Sequence, residues 1–256
     1  MRFSFPGSLE ELPFKPYPPR PETCLSFYPR DTETVEYTNG GKIVSHCRAA
    51  LYGKQSIVTN RYVGRDFLLI QVVFQPFGFY RLSGIPAHEF TNDYVDAETV
   101  FSKEIRLVNN RLSSTDDIPE MIKLVEDFLE NLATGAKKAS HPIDTVSHLM
   151  LNNPEKFSLD YLAKESFLSP KQFERKFLER VGINPKYFAR IVRFDKAFRL
   201  KNAHPGKNWF SIAIESGYYD YQHLAKDYKE FTNFSPSAFY AQDTRAPERH
   251  FGITET

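Results

Sequence analysis

The side chains best suited to chemistry lie in two short stretches near the C-terminus, Lys171-Gln172-x-Glu174-Arg175 and Tyr221-Gln222-x-x-Ala225-Lys226. What they offer is non-covalent: cationic donors, two-way amides and small groups. Base edges in a major groove present acceptors to Arg and Lys and a paired donor and acceptor to Gln. A solvated helix face would carry similar residues, so the setting decides between the two.

That setting is a duplicated unit. Ala163-x-Glu165-Ser166, Phe173-x-x-x-Phe177 and Glu179-x-x-Gly182-x-Asn184-Pro185 are answered by Ala213-x-Glu215-Ser216, Leu224-x-x-x-Tyr228 and Glu230-x-x-Asn233-x-Ser235-Pro236, offset by 50 residues at the Ala and 51 at the Pro. Solenoids need at least three copies to cover a core, so a pair predicts one duplicated supersecondary unit. In the first copy Ser158 caps a helix whose apolar face is Leu159, Leu162, Ala163 and Phe167. Ser169, followed by Pro170 and Gln172, opens a second helix through a capping box. Phe173 and Phe177 then face inward, leaving Lys171, Glu174 and Arg175 outward. In the second copy Ile212, Ala213 and Ser216 face inward, Gly217 takes the left-handed turn position and Asp220 caps the next helix. Its buried stripe is Leu224, Tyr228 and Phe231, which presents Tyr221, Gln222, Ala225 and Lys226 outward. Helix, sharp turn, helix is helix-turn-helix grammar.

Between the copies a helix starts at Asn184-Pro185, with Tyr187, Ile191, Phe194 and Phe198 as its buried face. Arg190, Arg193, Lys196, Arg199 and Lys201 form its basic side, and Asn202 with His204-Pro205-Gly206 ends it. As a rigid spacer it would let two recognition helices enter successive major grooves, roughly 34 Å apart.

The region from Val146 to Tyr240 resembles the DNA-binding domain of the AraC/XylS family of bacterial transcription regulators. The resemblance rests on Leu162-Ala163 with Ser169-Pro170-x-x-Phe173-x-Arg175-x-Phe177, on Arg190-x-x-Arg193-x-x-x-Ala197-x-x-Leu200, on Ile212-Ala213-x-x-x-Gly217-Tyr218-x-Asp220-x-x-His223-Leu224 and on Tyr228-Lys229-x-x-x-x-Phe234-Ser235-Pro236. It implies base or groove contacts from Lys171, Gln172, Glu174, Arg175, Tyr221, Gln222, Ala225 and Lys226, with Arg190, Arg193 and Lys229 touching phosphate or bracing the units. The family usually has a small residue at the first turn, where this chain has Phe167, and Gly before the final Ser-Pro, where it has Asn233. Asn tolerates the left-handed conformation, whereas Phe167 is expected to pack on the N-terminal domain or to change the angle between helices.

Charge agrees. From Lys171 to Lys201 there are ten basic residues against three acidic, while residues 1–139 have sixteen against eighteen, in a chain of net +1. Enzyme signatures are missing: His46 and His88 lie in no metal-binding spacing, His88-Glu89 lacks a second histidine, and there is no nucleophile elbow, P-loop or dinucleotide fingerprint. Cys24 and Cys47 supply no disulfide framework, and the longest apolar run, Phe67 to Phe74, is interrupted by Gln71. No cofactor and no catalysis are expected, and the location expected is cytoplasmic.

The N-terminal half is expected to be a mainly-β domain over residues 1–135, cupin-like by the resemblance, followed by a flexible linker at 136–142, the DNA-binding domain at 143–243 and a tail at 244–256. The whole is thus α+β, with an all-α C-terminal part. Seven prolines before residue 30 predict an extended arm. Strands are expected at Cys24–Tyr28, Lys42–Cys47, Gln55–Thr59, Asp66–Phe74 and Phe79–Leu82. Two helices close the domain, one through Val100, Phe101, Ile105, Val108 and Leu112, the other through Ile118, Met121, Ile122, Val125, Phe128, Leu129 and Leu132. The surplus apolar residues of the second cover the barrel or form an interface. The function expected is a sequence-specific DNA-binding transcription regulator, modulated by a ligand in a Phe- and Tyr-lined cavity or by dimerisation. Double-stranded DNA, a small-molecule effector, RNA polymerase and a second copy of the chain are the candidate partners. The alternatives are an architectural protein that binds DNA without sequence preference and a cupin-like enzyme fused to a DNA-binding domain.

Overall fold

Pro16 sits where a sheet tolerates it, on an edge strand that needs no donor on its outer side. The computed structural model describes residues 2–4, 14–154, 157–246, 248–249 and 252. Its strands are β1 (Arg2–Ser4), β2 (Phe14–Tyr17), β3 (Thr23–Phe27), β4 (Glu33–Tyr37), β5 (Ile43–Val44), β6 (Ala49–Tyr52), β7 (Thr59–Val63), β8 (Asp66–Leu68), β9 (Ile70–Phe74) and β10 (Tyr94–Asp96). Two antiparallel sheets, ordered β10-β6-β3-β9 and β2-β7-β4-β5, account for eight of them, and β1 pairs with β8.

Period-two alternation gives the first sheet two different faces. Cys24, Ala50, Tyr52 and Tyr94 pack with Val35, Tyr37 and Val63 of the second sheet. Leu25, Phe27, Ala49 and Leu51 face the other way, onto α2 (Ala97–Ser114) and α3 (Ile118–Thr134). There Phe101 meets Phe128 edge-on at 5.6 Å, and Phe128 meets Phe27 at 6.3 Å. Each buried ring contributes about 1.5–3 kcal/mol. Ile118 and Ile122 are partly exposed, so α3 carries more apolar surface than the sheet covers.

Several strand expectations need correction. Residues Phe79–Leu82 are helical, in α1 (Gly78–Ser83), ended by a left-handed Gly84; a short apolar run has no periodicity to separate strand from helix. Gln55–Thr59 meets a strand only at its end: Gln55 makes an isolated bridge to Arg20, Ser56 is held by Asn92, and the strand proper is β7. In β7 the inward residues are Thr59, Arg61 and Val63, and the inward arginine disguises the alternation. β4 was masked in the same way by inward Glu33. Asp66–Phe74 divides into β8 and β9, and Lys42–Cys47 shrinks to β5. The extended-arm reading falls partly on residues 5–13, outside the described residues.

A charged and hydrogen-bonded network is buried beside the cluster that joins the two sheets. Glu33 accepts from the hydroxyls of Tyr28 and Tyr94, each at 2.8 Å, and lies 3.6 Å from Arg61. The Arg61 guanidinium rests 3.5 Å from the Tyr17 ring centroid and 4.8 Å from that of Tyr52, which stacks on Tyr94 at 4.9 Å. Arg61 and its rings therefore occupy the space in which a Phe- and Tyr-lined ligand cavity was expected.

The C-terminal helices are α4 (Pro142–Asn152), α5 (Leu159–Glu165), α6 (Pro170–Val181), α7 (Pro185–Ala203), α8 (Trp209–Glu215), α9 (Tyr221–Thr232) and α10 (Pro236–Asp243). They share one core, which also takes in Val58 from the N-terminal half. The seam expected to be a flexible linker is tied down. The Lys137 and Lys138 amides donate to the Arg81 carbonyl at 2.9 and 3.0 Å, and Arg180 donates to the Ala139 carbonyl at 3.1 Å.

Candidate nucleic-acid interface

Both outward helices begin as their sequences predict. Ser169 Oγ accepts from the Gln172 amide, and Gln172 Oε1 accepts from the Ser169 amide at 3.1 Å, closing the capping box of α6. Asp220 Oδ1 accepts from the His223 amide at 2.8 Å at the start of α9, and this bond first, then the His223 ring, lowers the Asp220 carboxyl below its ordinary range. Ser158 and Asn208 cap α5 and α8. Phe173 and Phe177 are fully buried on α6, as are Leu224, Tyr228 and Phe231 on α9.

The opposite faces hold the expected readers, unequally presented. Lys171, Gln172, Glu174 and Arg175 are exposed on α6, with the Gln172 carbonyl already used in the cap. On α9 Gln222 and Lys226 are exposed, but Ala225 is half-buried, and Tyr221, expected to face outward, is half-buried against the core. Its ring is too large to leave uncovered at the edge of that core.

The basic side of α7 differs most from expectation. Arg190 donates to Asp227 at 2.7 Å and to both oxygens of Glu230, at 3.0 and 2.6 Å. This fork binds α7 to α9 and, by hydrogen bonding first, lowers the Glu230 carboxyl below its ordinary range. Arg193 lies over the Tyr218 ring at 5.2 Å. Burial, then the Asp227 charge, raises the Tyr218 phenol, whose hydroxyl donates to Asp227 at 3.1 Å. Lys229 turns back to the Asn233 carbonyl at 2.7 Å. Arg199 spans Asp195 and Glu22, and Lys201 is buried, donating to the Pro205 and Lys207 carbonyls. Arg190 thus joins α7 to α9, Arg193 lies on Tyr218, and Lys229 closes the end of its own helix; of the basic stripe on α7 only Lys196 is exposed. Tyr187, expected to be buried, is half-buried.

Two residues escaped sequence reasoning although a signal was there. Asp227 falls on the buried stripe with Leu224, Tyr228 and Phe231, and Arg180 falls on that of Phe173, Phe177 and Val181. A charge on an apolar stripe requires a partner. Arg180 finds Asp144 of α4 with two bonds of 2.7 Å.

The turns also agree and differ. Gly217 and Asn233 take left-handed φ of 87° and 64°. Phe167 does so too, at 55°, and its ring is 87% exposed, so it packs on neither the N-terminal domain nor its own unit.

A family model described as a helix-turn-helix domain matches residues 162–242. Residues 162–242 are thus a helix-turn-helix domain, as the duplicated units predict. No curated protein matches the chain. Among solved structures, ToxT from Vibrio cholerae O395 is similar at 14% identity, covering 95% of this chain and 96% of its own, with a TM-score of 0.51. Unsaturated fatty acid-bound wild-type ToxT from Vibrio cholerae strain SCE256 is similar at 12% identity, covering 97% and 95%, with a TM-score of 0.52. The DNA-binding domain of AdpA, in complex with a target DNA, covers 41% of this chain and 95% of its own at 24% identity and a TM-score of 0.38. The likeness to ToxT is one of fold: a β-rich N-terminal part precedes a helical C-terminal part that here contains the helix-turn-helix units. No described helix is long and apolar enough to cross a membrane.

Proposed function

We propose that this chain is a sequence-specific transcription regulator whose helices α6 and α9 read successive major grooves, with the N-terminal domain modulating the reading. The observation that carries this is the division of labour among cations. Arg190 and Arg193 are committed inside the domain, whereas Lys171, Arg175 and Lys226 are exposed on the outer faces of two capped helices. Arg175 is placed for a forked contact to guanine, and Gln222 and Lys226 serve the other half-site.

The test selects duplexes from a randomised pool with the full chain, then measures Arg175→Ala, Gln222→Ala and Lys226→Ala against single-base variants at fixed salt. Each is expected to lose about 1–3 kcal/mol on the preferred duplex and to relax preference at one position. Equal loss on every sequence would mean adhesion without reading, the architectural alternative.

Modulation by a ligand has a place to act. A groove of about 480 Å³ lies between the two halves, with Pro21, Val73, Phe74 and Pro76 facing Leu151, Val192 and Leu200; of its charged residues, Arg199 is paired with Glu22 and Asp195, and Lys196 is exposed. An apolar molecule whose anionic end lies at Lys196 fits that lining, and a protein of this fold has been crystallised with an unsaturated fatty acid. A rise in melting temperature and a change in operator affinity with monomeric oleate are expected; no shift in either would set this part aside.

A further inference from the structure

The duplication supplies an internal control for one residue. At the turn of the first unit the Phe167 amide donates to the Lys164 carbonyl at 2.9 Å, and Leu168 to Ala163 at 3.0 Å. In the second unit Gly217 donates to Ile214 at 3.1 Å, and Tyr218 to Ala213 at 3.0 Å. Ser166 and Ser216 return their hydroxyls to Leu162 and Ile212 in the same way. Phe167 and Gly217 are thus equivalent, both left-handed, but the first position holds a bulky aromatic where the conformation suits glycine. Burial offsets none of that strain, because the ring is 87% exposed. An outlier that neither conformation nor packing accounts for points outside the chain.

The surroundings say what kind of partner. The ring stands two residues before the N-cap of α6, on the approach to Lys171 and Arg175. Its exposed neighbours along the chain are Lys164, Glu165, Ser169, Pro170 and Lys171, mostly polar with two lysines against one glutamate; a protein-docking surface would be a continuous apolar patch. A single apolar side chain beside a reading helix matches the one apolar feature of the major groove, the 5-methyl group of thymine. We infer that Phe167 is a specificity-determining contact, its ring packing on a thymine methyl at the edge of the half-site read by α6. This rests on the DNA-reading function proposed above.

Phe167→Gly and Phe167→Asn both suit the left-handed backbone, so both should fold with melting temperatures equal to or above that of the parent. With the selected duplex, each thymine is replaced in turn by deoxyuridine, which removes only the methyl. The parent chain should weaken about threefold to tenfold at one thymine flanking the α6 half-site. The two variants should lose the same factor on the unmodified duplex and be indifferent to that uracil. Variants that bind like the parent, or that keep its uracil sensitivity, would overturn the contact. So would variants with unchanged DNA binding that fail to regulate transcription in vitro, which would place the ring on a protein. Failure of the DNA-reading function itself shows separately, as a parent chain that selects no preferred duplex.

Discussion

At the scale of single residues, charge in this protein divides into groups that reach outward and groups that hold the interior. Arg190 belongs to the second kind. Arg190→Ala is expected to lower stability by about 3 kcal/mol, because it leaves the buried Asp227 carboxylate without its cation and with only the Tyr218 hydroxyl as a side-chain donor, and to weaken all DNA sequences alike. Thermal melts and a panel of operator variants check both parts. Lys54 is a different case. It is buried, with Thr23 Oγ1 at 3.2 Å, the Pro76 carbonyl at 3.3 Å and the Phe188 ring of α7 at 6.0 Å. Burial pushes its amine down to about 7 from an ordinary 10.5, opposed by Cys24 and Glu22. Between those values the unfolded chain holds the extra proton, so the Lys54 contribution makes stability rise with pH, by up to about 1.4 kcal/mol per unit. Lys54→Met should exceed the parent in stability near pH 6, and the gap should close as pH rises toward 10; parallel pH curves would refute this.

At the scale of elements, the proposed recognition helices α6 and α9 depend on their first turns. Ser169→Ala and Asp220→Ala are each expected to cost about 1 kcal/mol of stability, and each should weaken only the half-site read by its own helix, as seen in melts and half-site footprints. These helices were legible in the sequence because their caps and stripes are local signals, repeated. The N-terminal sheets were less so. Glu33 and Arg61 face inward and invert the pattern on β4 and β7, and the run Phe79–Leu82 is too short to declare its period. The partners of the α7 arginines are set by tertiary packing, which no spacing along one helix reveals.

At the scale of the whole molecule, the two halves share more than a tether. Arg20 pairs with Asp195 at 3.0 Å, Arg199 with Glu22 at 2.7 Å, and Tyr80 donates to Glu179 at 2.6 Å. A fragment of residues 136–256 keeps the core of α4 to α10 but loses these contacts and Val58. It is expected to fold with a lower melting temperature and to bind the selected duplex at low salt; an unfolded or inert fragment would show that the C-terminal domain depends on the rest. The seating of Gly182 has its own consequence. Its carbonyl accepts from Thr91 at 2.7 Å, and an added Cβ would lie 3.0 Å from the Ala87 carbonyl, so α6 ends directly against the N-terminal domain. Helix α9 instead packs on α7, α8 and α10. Under the proposed reading by α6 and α9, a complex with DNA would be directional. One end of the operator would then answer to events in the N-terminal half while the other kept a constant grip, so inverting the site relative to a promoter should change what a signal does without changing how tightly the protein holds on.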